Sequence, residues 1–311
     1  MRIFDPHIHM TSRTTDDYEA MAAAGIEAIV EPAFWLGQPR SSLGSFVDYF
    51  NGLLGWERFR AGQFGIRHHC TMGLNPKEAN DEALAREVLD VLPRYLAKDR
   101  VVAVGEIGFD AMTAAEERAF AAQLALAAEH DLPVLVHTPH RDKLVGTIRS
   151  LALVAASPVA PERVLIDHNN ELTFERVVAS GCWCGFTIYP DTKMDEHRLV
   201  RIVEAEGLER TIVNSAADWG RSDPLKVPKT ADAMRAAGFS EREIERLVWD
   251  NPVAFFAQSG RLELDGIAPD RHATFAGNSI LRGARGAGAE APDPDATLAR
   301  SPIPHGGAGA E

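Results

Sequence analysis

Short apolar runs alternate with amphipathic stretches along roughly the first 260 residues of the chain. The apolar runs are bounded by polar turns, as buried strands are. The stretches between them repeat apolar residues at helical spacing, for example at Leu84, Val88, Leu92 and Leu96. Such spacing is typical of a helix that buries one face. The alternation of strand and helix therefore predicts parallel βαβ units.

Eight strand and helix units can be placed along the chain. The strands are predicted at residues 2–9, 26–32, 66–74, 101–110, 133–137, 164–168, 182–188 and 210–214. The run at 101–110 is apolar on both faces for most of its length, as expected of a parallel strand covered on both sides. Eight units in one chain predict an α/β fold, a (β/α)8 TIM-like barrel, over residues 1–264.

Two stretches depart from this alternation. Residues 35–60 form an insertion with an irregular start and an aromatic helix, which could be a lid over a site or a cover for the core. Residues 265–311 are rich in Gly, Ala, Pro and Asp and hold few large apolar residues. This composition predicts a mostly disordered tail.

Composition and charge narrow the classes of function. The chain has 311 residues, is 45% hydrophobic and carries a formal net charge of −13. An acidic surface repels phosphate backbones and disfavours broad binding of nucleic acid.

Cys70, Cys182 and Cys184 form no disulfide or zinc framework and are expected as small apolar residues in a reducing compartment. No apolar run could span a bilayer and the N-terminus lacks a signal-peptide pattern, so no membrane association and a cytoplasmic location are expected.

Polar residues lie where the predicted strands end. In a barrel of this kind, the carboxyl ends of all strands meet at the mouth that carries the active site. His7 and His9 are one residue apart, so their side chains are expected on the same face of the first strand. The full set of candidate metal ligands at these ends is His7, His9, Glu106, His137, His168 and Asp218. Four imidazoles and two carboxylates exceed the needs of one tetrahedral ion. The set therefore predicts a binuclear metal site with Glu106 bridging two divalent ions.

Each candidate has an ordinary structural explanation when taken alone. A single His137 or His168 is more often a hydrogen-bonded core or loop histidine, and Asp218 could form a turn or cap a helix. Glu106 could be held by a lysine or arginine inside the barrel. The joint occurrence of these residues at strand ends is harder to obtain from packing, and it favours the metal site. Imidazole ligation favours zinc or manganese, with magnesium as a further option.

At this point the sequence resembles a known family. The first-strand H-x-H motif of the amidohydrolase superfamily is similar to residues 5–9, and the G-E-x-G-[LF]-D stretch of TatD-like metal-dependent hydrolases closely resembles residues 105–110. With the later candidate ligands in order, the resemblance covers about residues 1–260 and implies a TIM-like barrel with divalent metals. By this resemblance, one ion would be held by His7, His9, Glu106 and Asp218, and the other by Glu106, His137 and His168.

The chain departs from that family where substrate would be contacted. Asn75 stands where many members have a histidine, and the segment before Asp218 reads S-A-A-D where others have E-T-D. These departures argue against the deoxyribonuclease activity known in parts of the family, so nucleic acid is predicted not to be the substrate. The loop residues predicted to contact an anionic substrate are Asn75, His140, Arg141 and Arg221. Each of them, taken alone, is more often a solvated loop residue.

These patterns predict a metal-dependent hydrolase that acts on a small substrate, which could be anionic. Bound metal lowers the pKa of water from about 15.7 towards 7, and the water would attack a carbonyl or phosphoryl centre while Asp218 transfers its proton. Three alternatives use the same barrel: a metal-dependent deoxyribonuclease, a sugar-type isomerase, and a non-catalytic binding barrel. Isomerase sites usually lack an N-terminal H-x-H, and a non-catalytic barrel would be expected to lose ligands. The oligomeric state is left open.

Overall fold

The fold was analysed in a computed structural model that describes residues 1–273 and 275. Eight parallel strands follow one another in chain order around a barrel, and each pairs with the next. The strands are β1 (Ile3–Asp5), β2 (Ile26–Pro32), β3 (Arg67–Met72), β4 (Val101–Gly108), β5 (Val134–His137), β6 (Val164–Ile166), β7 (Trp183–Thr187) and β8 (Thr211–Asn214). The predicted TIM-like barrel is confirmed.

Helices alternate with the strands and cover the barrel. They are α1 (Thr15–Ala23), α2 (Leu43–Gly52), α3 (Arg58–Gln63), α4 (Glu82–Leu96), α5 (Ala114–Glu129), α6 (Lys143–Ala156), α7 (Phe174–Ala179), α8 (Glu196–Glu206), α9 (Lys226–Ala236), α10 (Glu241–Glu245) and α11 (Asn251–Phe256). Side-chain caps fix several starts: Asp81, Thr113 and Asp195 each accept a hydrogen bond from a backbone N–H in the first turn. These caps satisfy donors that a helix start leaves without partners.

The strands that carry the candidate ligands are shorter than predicted. β1 ends at Asp5, because Pro6 has no N–H to continue the ladder. His7 and His9 therefore lie in the segment after the strand, and the prediction of a strand through His9 is wrong at its end. β6 likewise ends at Ile166, two residues before His168. His7, His9 and His168 thus lie on short segments beyond the strands, where the backbone can direct their side chains toward one point.

Hydrogen bonds beyond the strand ends join the first and last parts of the barrel. The His9 N–H donates to the carbonyl of Ala217 at 2.9 Å, and the Ala216 N–H donates to the carbonyl of His7 at 2.7 Å. These two bonds place the H-x-H segment directly beside the segment that leads to Asp218. Candidate ligands separated by about 200 residues in sequence become neighbours in this way.

Apolar side chains fill two layers. On β2, Ala28 and Val30 belong to the layer inside the barrel, whereas Ile29 packs between the sheet and the helices. The inner layer also receives large aromatic residues from the last helical segments: Trp249, Phe255 and Phe256. All of these side chains are almost fully buried. The apolar inner layer supports the strands on which the polar mouth is built.

The insertion at 35–60 has more than one role. Phe46 and Phe50 on α2 are buried in the core, as expected of a cover. Trp35, at the start of the insertion, lines the cavity at the mouth of the barrel instead.

The three cysteines are buried and free, as predicted. Among the described helices, none combines the length and apolar character needed to cross a membrane.

The predicted tail is described only in its first part. Residues 265–273 contain no helix or strand. They nevertheless contact the barrel, because Arg67 donates to the carbonyl of Asp265 and Arg271 pairs with Glu19 at 2.7 Å. Residue 274 and residues 276–311 lie outside the described part of the chain. The domain boundary at residue 264 and the disorder of the tail remain predictions.

Candidate metal centre

Glu106 occupies a bulge in β4. The ladder between β4 and β5 pairs Val104 with Val134 and Ile107 with Val136, so β4 has one extra residue at this point. Such a bulge redirects a side chain. Gly105 allows it, because a Cβ added there would lie 2.8 Å from the carbonyl oxygen of Leu135. The Glu106 carboxylate is 3% exposed and points into the mouth of the barrel.

Imidazole nitrogens surround this carboxylate. Glu106 Oε1 lies 2.8 Å from His137 Nδ1, 3.1 Å from His168 Nε2 and 3.8 Å from His7 Nε2. His137 Nδ1 and His168 Nε2 are themselves 3.2 Å apart. On the other side, His7 Nε2 and His9 Nε2 are 3.0 Å apart. The structure thus brings together five of the six predicted ligands as two pairs of imidazoles with one carboxylate between them.

Asp167 fixes the tautomer of His7. Its Oδ2 accepts a hydrogen bond from His7 Nδ1 at 2.6 Å, so a neutral His7 ring carries its proton there and leaves the Nε2 lone pair free. Partners of this kind orient histidines that bind metals. Asp167 is fully buried. Burial alone would raise its pKa, but interaction with the neighbouring His168 and the hydrogen bond from His7 outweigh burial and lower that pKa, so Asp167 stays ionised.

A second chain of hydrogen bonds orients His168. Asn214 donates through Nδ2 to both oxygens of Asp167, at 3.0 and 3.1 Å, and accepts from Thr187 Oγ1 at 2.8 Å. Thr187 has then used its only proton, so it accepts from His168 Nδ1 at 2.7 Å. This arrangement leaves the Nε2 lone pair of His168 directed at the centre. His168 holds a left-handed backbone, with φ +62°, and its N–H donates to Asp167 Oδ1 at 2.7 Å.

The electrostatics of the centre suit a divalent cation. Burial lowers the pKa of His9 and His168, so both rings are neutral and keep a lone pair. For Glu106, burial alone would raise the pKa, but the adjacent His137 ring, followed by those of His168 and His7, lowers it. His7, Glu106 and His168 each offer a ligand atom within 4.8 Å of the others. The residues present therefore fit a metal site.

Asp218 lines the same cavity but is held differently from the imidazole group. Its Oδ1 accepts from the Gly220 N–H at 2.7 Å and from the Tyr189 hydroxyl at 3.1 Å. Within the described residues it makes no hydrogen bond to the four histidines. Asp218 thus faces the centre from the end of β8 and lies at its edge.

Aromatic side chains form one wall of the cavity. The Phe34 ring stacks on His9, with centroids 3.5 Å apart, and Trp219 stacks on the other side at 5.0 Å from Phe34. Trp35 meets Trp219 edge-on at 6.0 Å. This wall fixes the plane of the His9 ring and covers the centre on one side. Trp219 remains 45% exposed at the entrance.

The predicted substrate residues have different positions. Asn75 is buried in the cavity and donates to Glu106 Oε2 at 3.2 Å. His140 lines the cavity and also a neighbouring one, whereas Arg141 lines only the neighbouring one. Arg221 is almost fully exposed, 3.8 Å from Asp191, and does not line the cavity. The structure thus places Asn75 and His140 at the centre, Arg141 further out, and Arg221 in solvent.

The structure also shows residues that sequence reasoning missed. Asp167, Thr187 and Asn214 were not assigned a role, although all three lie at the ends of strands and could have been examined for that reason. Lys193 and Tyr189 lie in the loop after β7, where no spacing or motif marks them. Lys193 Nζ lies 3.1 Å from His168 Nδ1 and enters the same cavity. Burial lowers the pKa of Lys193.

Replacing Asp167 with asparagine should weaken metal binding without removing a ligand. The variant loses the carboxylate that accepts from His7 Nδ1, and such partners typically contribute about 10- to 100-fold in metal affinity. Competition with a chelator measures this change. Asp5→Asn is the matched control, because Asp5 is also buried but accepts from the backbone N–H groups of His7 and Ser215. Equal affinities in the Asp167→Asn variant and the wild type would show that Asp167 does not support the ligands.

Comparison with known proteins identifies the family. A family model described as TatD related DNase matches residues 4–257. An uncharacterised metal-dependent hydrolase of Methanocaldococcus jannaschii is 27% identical over 82% of this chain and 99% of its own length. A 3'-5' ssDNA/RNA exonuclease TatD of Pantoea vagans is 40% identical, over only 22% of this chain and 27% of its own.

A solved structure agrees with these sequence matches. The crystal structure of a TatD-like protein from Archaeoglobus fulgidus matches with a TM-score of 0.67 and 25% identity, over 81% of this chain and 99% of that one. The family model spans most of the barrel and includes every residue of the centre described above. The chain therefore belongs to the TatD family and is a metal-dependent hydrolase.

Proposed function

We propose that the chain hydrolyses a small anionic phosphoester with two divalent ions held at this centre. The observation that carries the proposal is the position of Glu106 between two pairs of imidazole nitrogens, His7 with His9 and His137 with His168. A carboxylate has two oxygens and can serve both pairs. The imidazole-rich ligand set supports zinc or manganese in preference to magnesium.

The protein residues would divide the chemical work. The ions would supply Lewis acidity, which polarises the bond to be broken and makes water acidic enough to react at neutral pH. Asp167 and Thr187 would keep the rings of His7 and His168 in the tautomers that a metal needs. Asp218, oriented by Gly220 and Tyr189, would accept a proton from the attacking water and deliver it to the leaving group.

Charge around the cavity supports an anionic substrate. Lys77 and Lys193 line it, and His140, whose pKa burial lowers to about 4, adds a neutral ring. Its volume is about 310 Å³, which suits a small molecule or one terminal unit of a longer chain. A phosphoryl centre is supported over a carbonyl centre by the family description, which names DNases, and by the exonuclease relative.

A second candidate is a nuclease that acts on a chain end. The names of the family and of the Pantoea vagans relative favour it and weigh against the prediction that nucleic acid is not the substrate. The net charge of −13 favours the small substrate, because a long polyanion would be repelled outside the cavity.

A cytoplasmic location is proposed as well, since the three free cysteines suit a reducing compartment.

Metal removal and a substrate panel test the proposed function. We expect chelator-treated protein to be inactive, and zinc or manganese to restore activity on phosphoesters. The panel would contain a phosphomonoester, a phosphodiester, a neutral carboxylic ester, single-stranded DNA and a sugar phosphate whose isomers are resolved. Turnover of the phosphoesters above that of the carboxylic ester supports the proposal. Preference for the carboxylic ester, or product isomers without cleavage, would overturn it, and degradation of DNA from one end would select the nuclease.

A further inference from the structure

Lys193 is a cation in the cavity that has no acidic partner in the described part of the chain. Its Nζ lies 3.1 Å from His168 Nδ1 and 3.4 Å from His168 Nε2. Among the described residues, no carboxylate lies within ion-pair distance of it. Lys77, which lines the same cavity, is by contrast paired with Asp110 at 2.9 Å. The charge of Lys193 is therefore available to a bound molecule, whereas that of Lys77 is already shared.

The backbone holds Lys193 in this position. Its N–H donates to the Tyr189 carbonyl at 2.8 Å, and its own carbonyl accepts from Arg198 Nη1 at 2.8 Å. On the next residue, the Met194 carbonyl accepts from the Tyr189 N–H at 2.8 Å. These bonds make the loop between β7 and α8 a tight turn with the ammonium directed at the centre. A group held in this way needs little reorganisation to bind a ligand.

The contact between Lys193 and His168 does not satisfy the ammonium. An ammonium only donates, and a hydrogen bond at Nδ1 would require a lone pair on that nitrogen. When Nε2 serves as a metal ligand, the ring proton must lie on Nδ1, where it is donated to Thr187. Nδ1 has no lone pair for Lys193 in this tautomer. The ammonium therefore has no acceptor at Nδ1 and faces the cavity.

We propose that Lys193 binds the anionic oxygen of the substrate phosphoryl group. This inference rests on the proposed function. Two divalent ions would bring four positive charges, and Lys193 adds a fifth. The carboxylates of Glu106, Asp167 and Asp218 supply only three negative charges, so the centre would have an excess of positive charge. An anion beside Lys193 offsets this excess, and the ammonium gives it a charge-assisted hydrogen bond. Lys193 is thereby a substrate-binding residue and selects anionic esters over neutral ones.

Binding of inorganic phosphate to the metal-loaded protein tests this assignment. We expect Lys193→Met to weaken phosphate binding by about 10- to 100-fold, as for the loss of one hydrogen bond between charged groups. Lys193→Arg should retain most of the affinity. Lys229→Met is the matched control, because it removes the same charge from an exposed pair with Asp223 outside the cavity. Calorimetry gives the affinities, and metal analysis and thermal unfolding are done on every variant.

The possible outcomes separate this inference from the proposed function. Phosphate affinity unchanged in Lys193→Met at full metal content would overturn the assignment, as would a wild-type protein that binds no phosphate. Loss of metal or of folding in both Lys193→Met and Lys193→Arg would also overturn it, since Lys193 would then support the centre itself. Weaker phosphate binding with no turnover of any phosphoester would retain the assignment and reject the proposed function. In turnover assays, Lys193→Met should lower the rate of hydrolysis more for a phosphodiester than for a neutral phosphotriester.

Discussion

Replacing Glu106 with glutamine is expected to weaken metal binding and to lower hydrolysis by about three orders of magnitude. Glutamine has almost the same volume, but it replaces one carboxylate oxygen with an amide and removes the charge between the imidazole pairs. His137 Nδ1 and His168 Nε2, at 2.8 and 3.1 Å, would lose their anionic partner. We expect less than half of the wild-type metal content and a loss in kcat/KM of about 10³-fold or more, which corresponds to about 4 kcal/mol of transition-state stabilisation.

A neighbouring carboxylate provides the control for this experiment. Glu78 is also buried near the carboxyl ends of the strands, but it pairs with Arg40 at 2.7 Å and does not line the cavity. Glu78→Gln should lower the melting temperature and keep its metal. Metal content is measured by elemental analysis after dialysis. A Glu106→Gln protein with full metal content and near-native turnover would refute the bridging role.

Replacing Asp218 with asparagine is expected to keep the metal and lose turnover. Asparagine retains an oxygen that can accept from Gly220 and Tyr189, so the local structure should persist. It cannot take up a proton from water. Removal of a general acid–base group typically costs about 10²- to 10⁴-fold in rate. We therefore expect kcat to fall by that factor, with KM little changed, at wild-type metal content.

Steady-state kinetics on the best substrate of the panel measures this loss. Tyr189→Phe is the control, because it removes only the hydroxyl that lies 3.1 Å from the carboxylate. It should reduce kcat far less than Asp218→Asn. Near-native turnover in Asp218→Asn would exclude the proton-transfer role. Loss of metal in that variant would instead make Asp218 an anchor for an ion, as the family resemblance implied.

The sequence predicted those parts of the site that follow from strand geometry. The carboxyl ends of parallel strands meet at one mouth of a barrel, so placing the strands was enough to bring Glu106, His137 and His168 together. Errors of two to four residues at the ends of β1 and β6 did not change this result. The position of a strand end determines only the region of the fold in which a residue lies, so a small error there does not move the residue to another region.

The supporting residues could not be predicted in the same way. Alternation along a strand would place Asp167 on the opposite face from His168. The two side chains share the centre because β6 has already ended and His168 adopts a left-handed backbone. Lys193 reaches the centre from an irregular loop whose turn depends on tertiary hydrogen bonds. Arg221 shows the opposite error, since its loop carries it into solvent.

Anomalous diffraction from crystals grown with zinc or manganese tests the central claim most directly. The account predicts two peaks, one between the Nε2 atoms of His7 and His9 and one between His137 Nδ1 and His168 Nε2, with the Glu106 carboxylate between the peaks. A peak at neither position, or strong peaks only outside this mouth of the barrel, would contradict it.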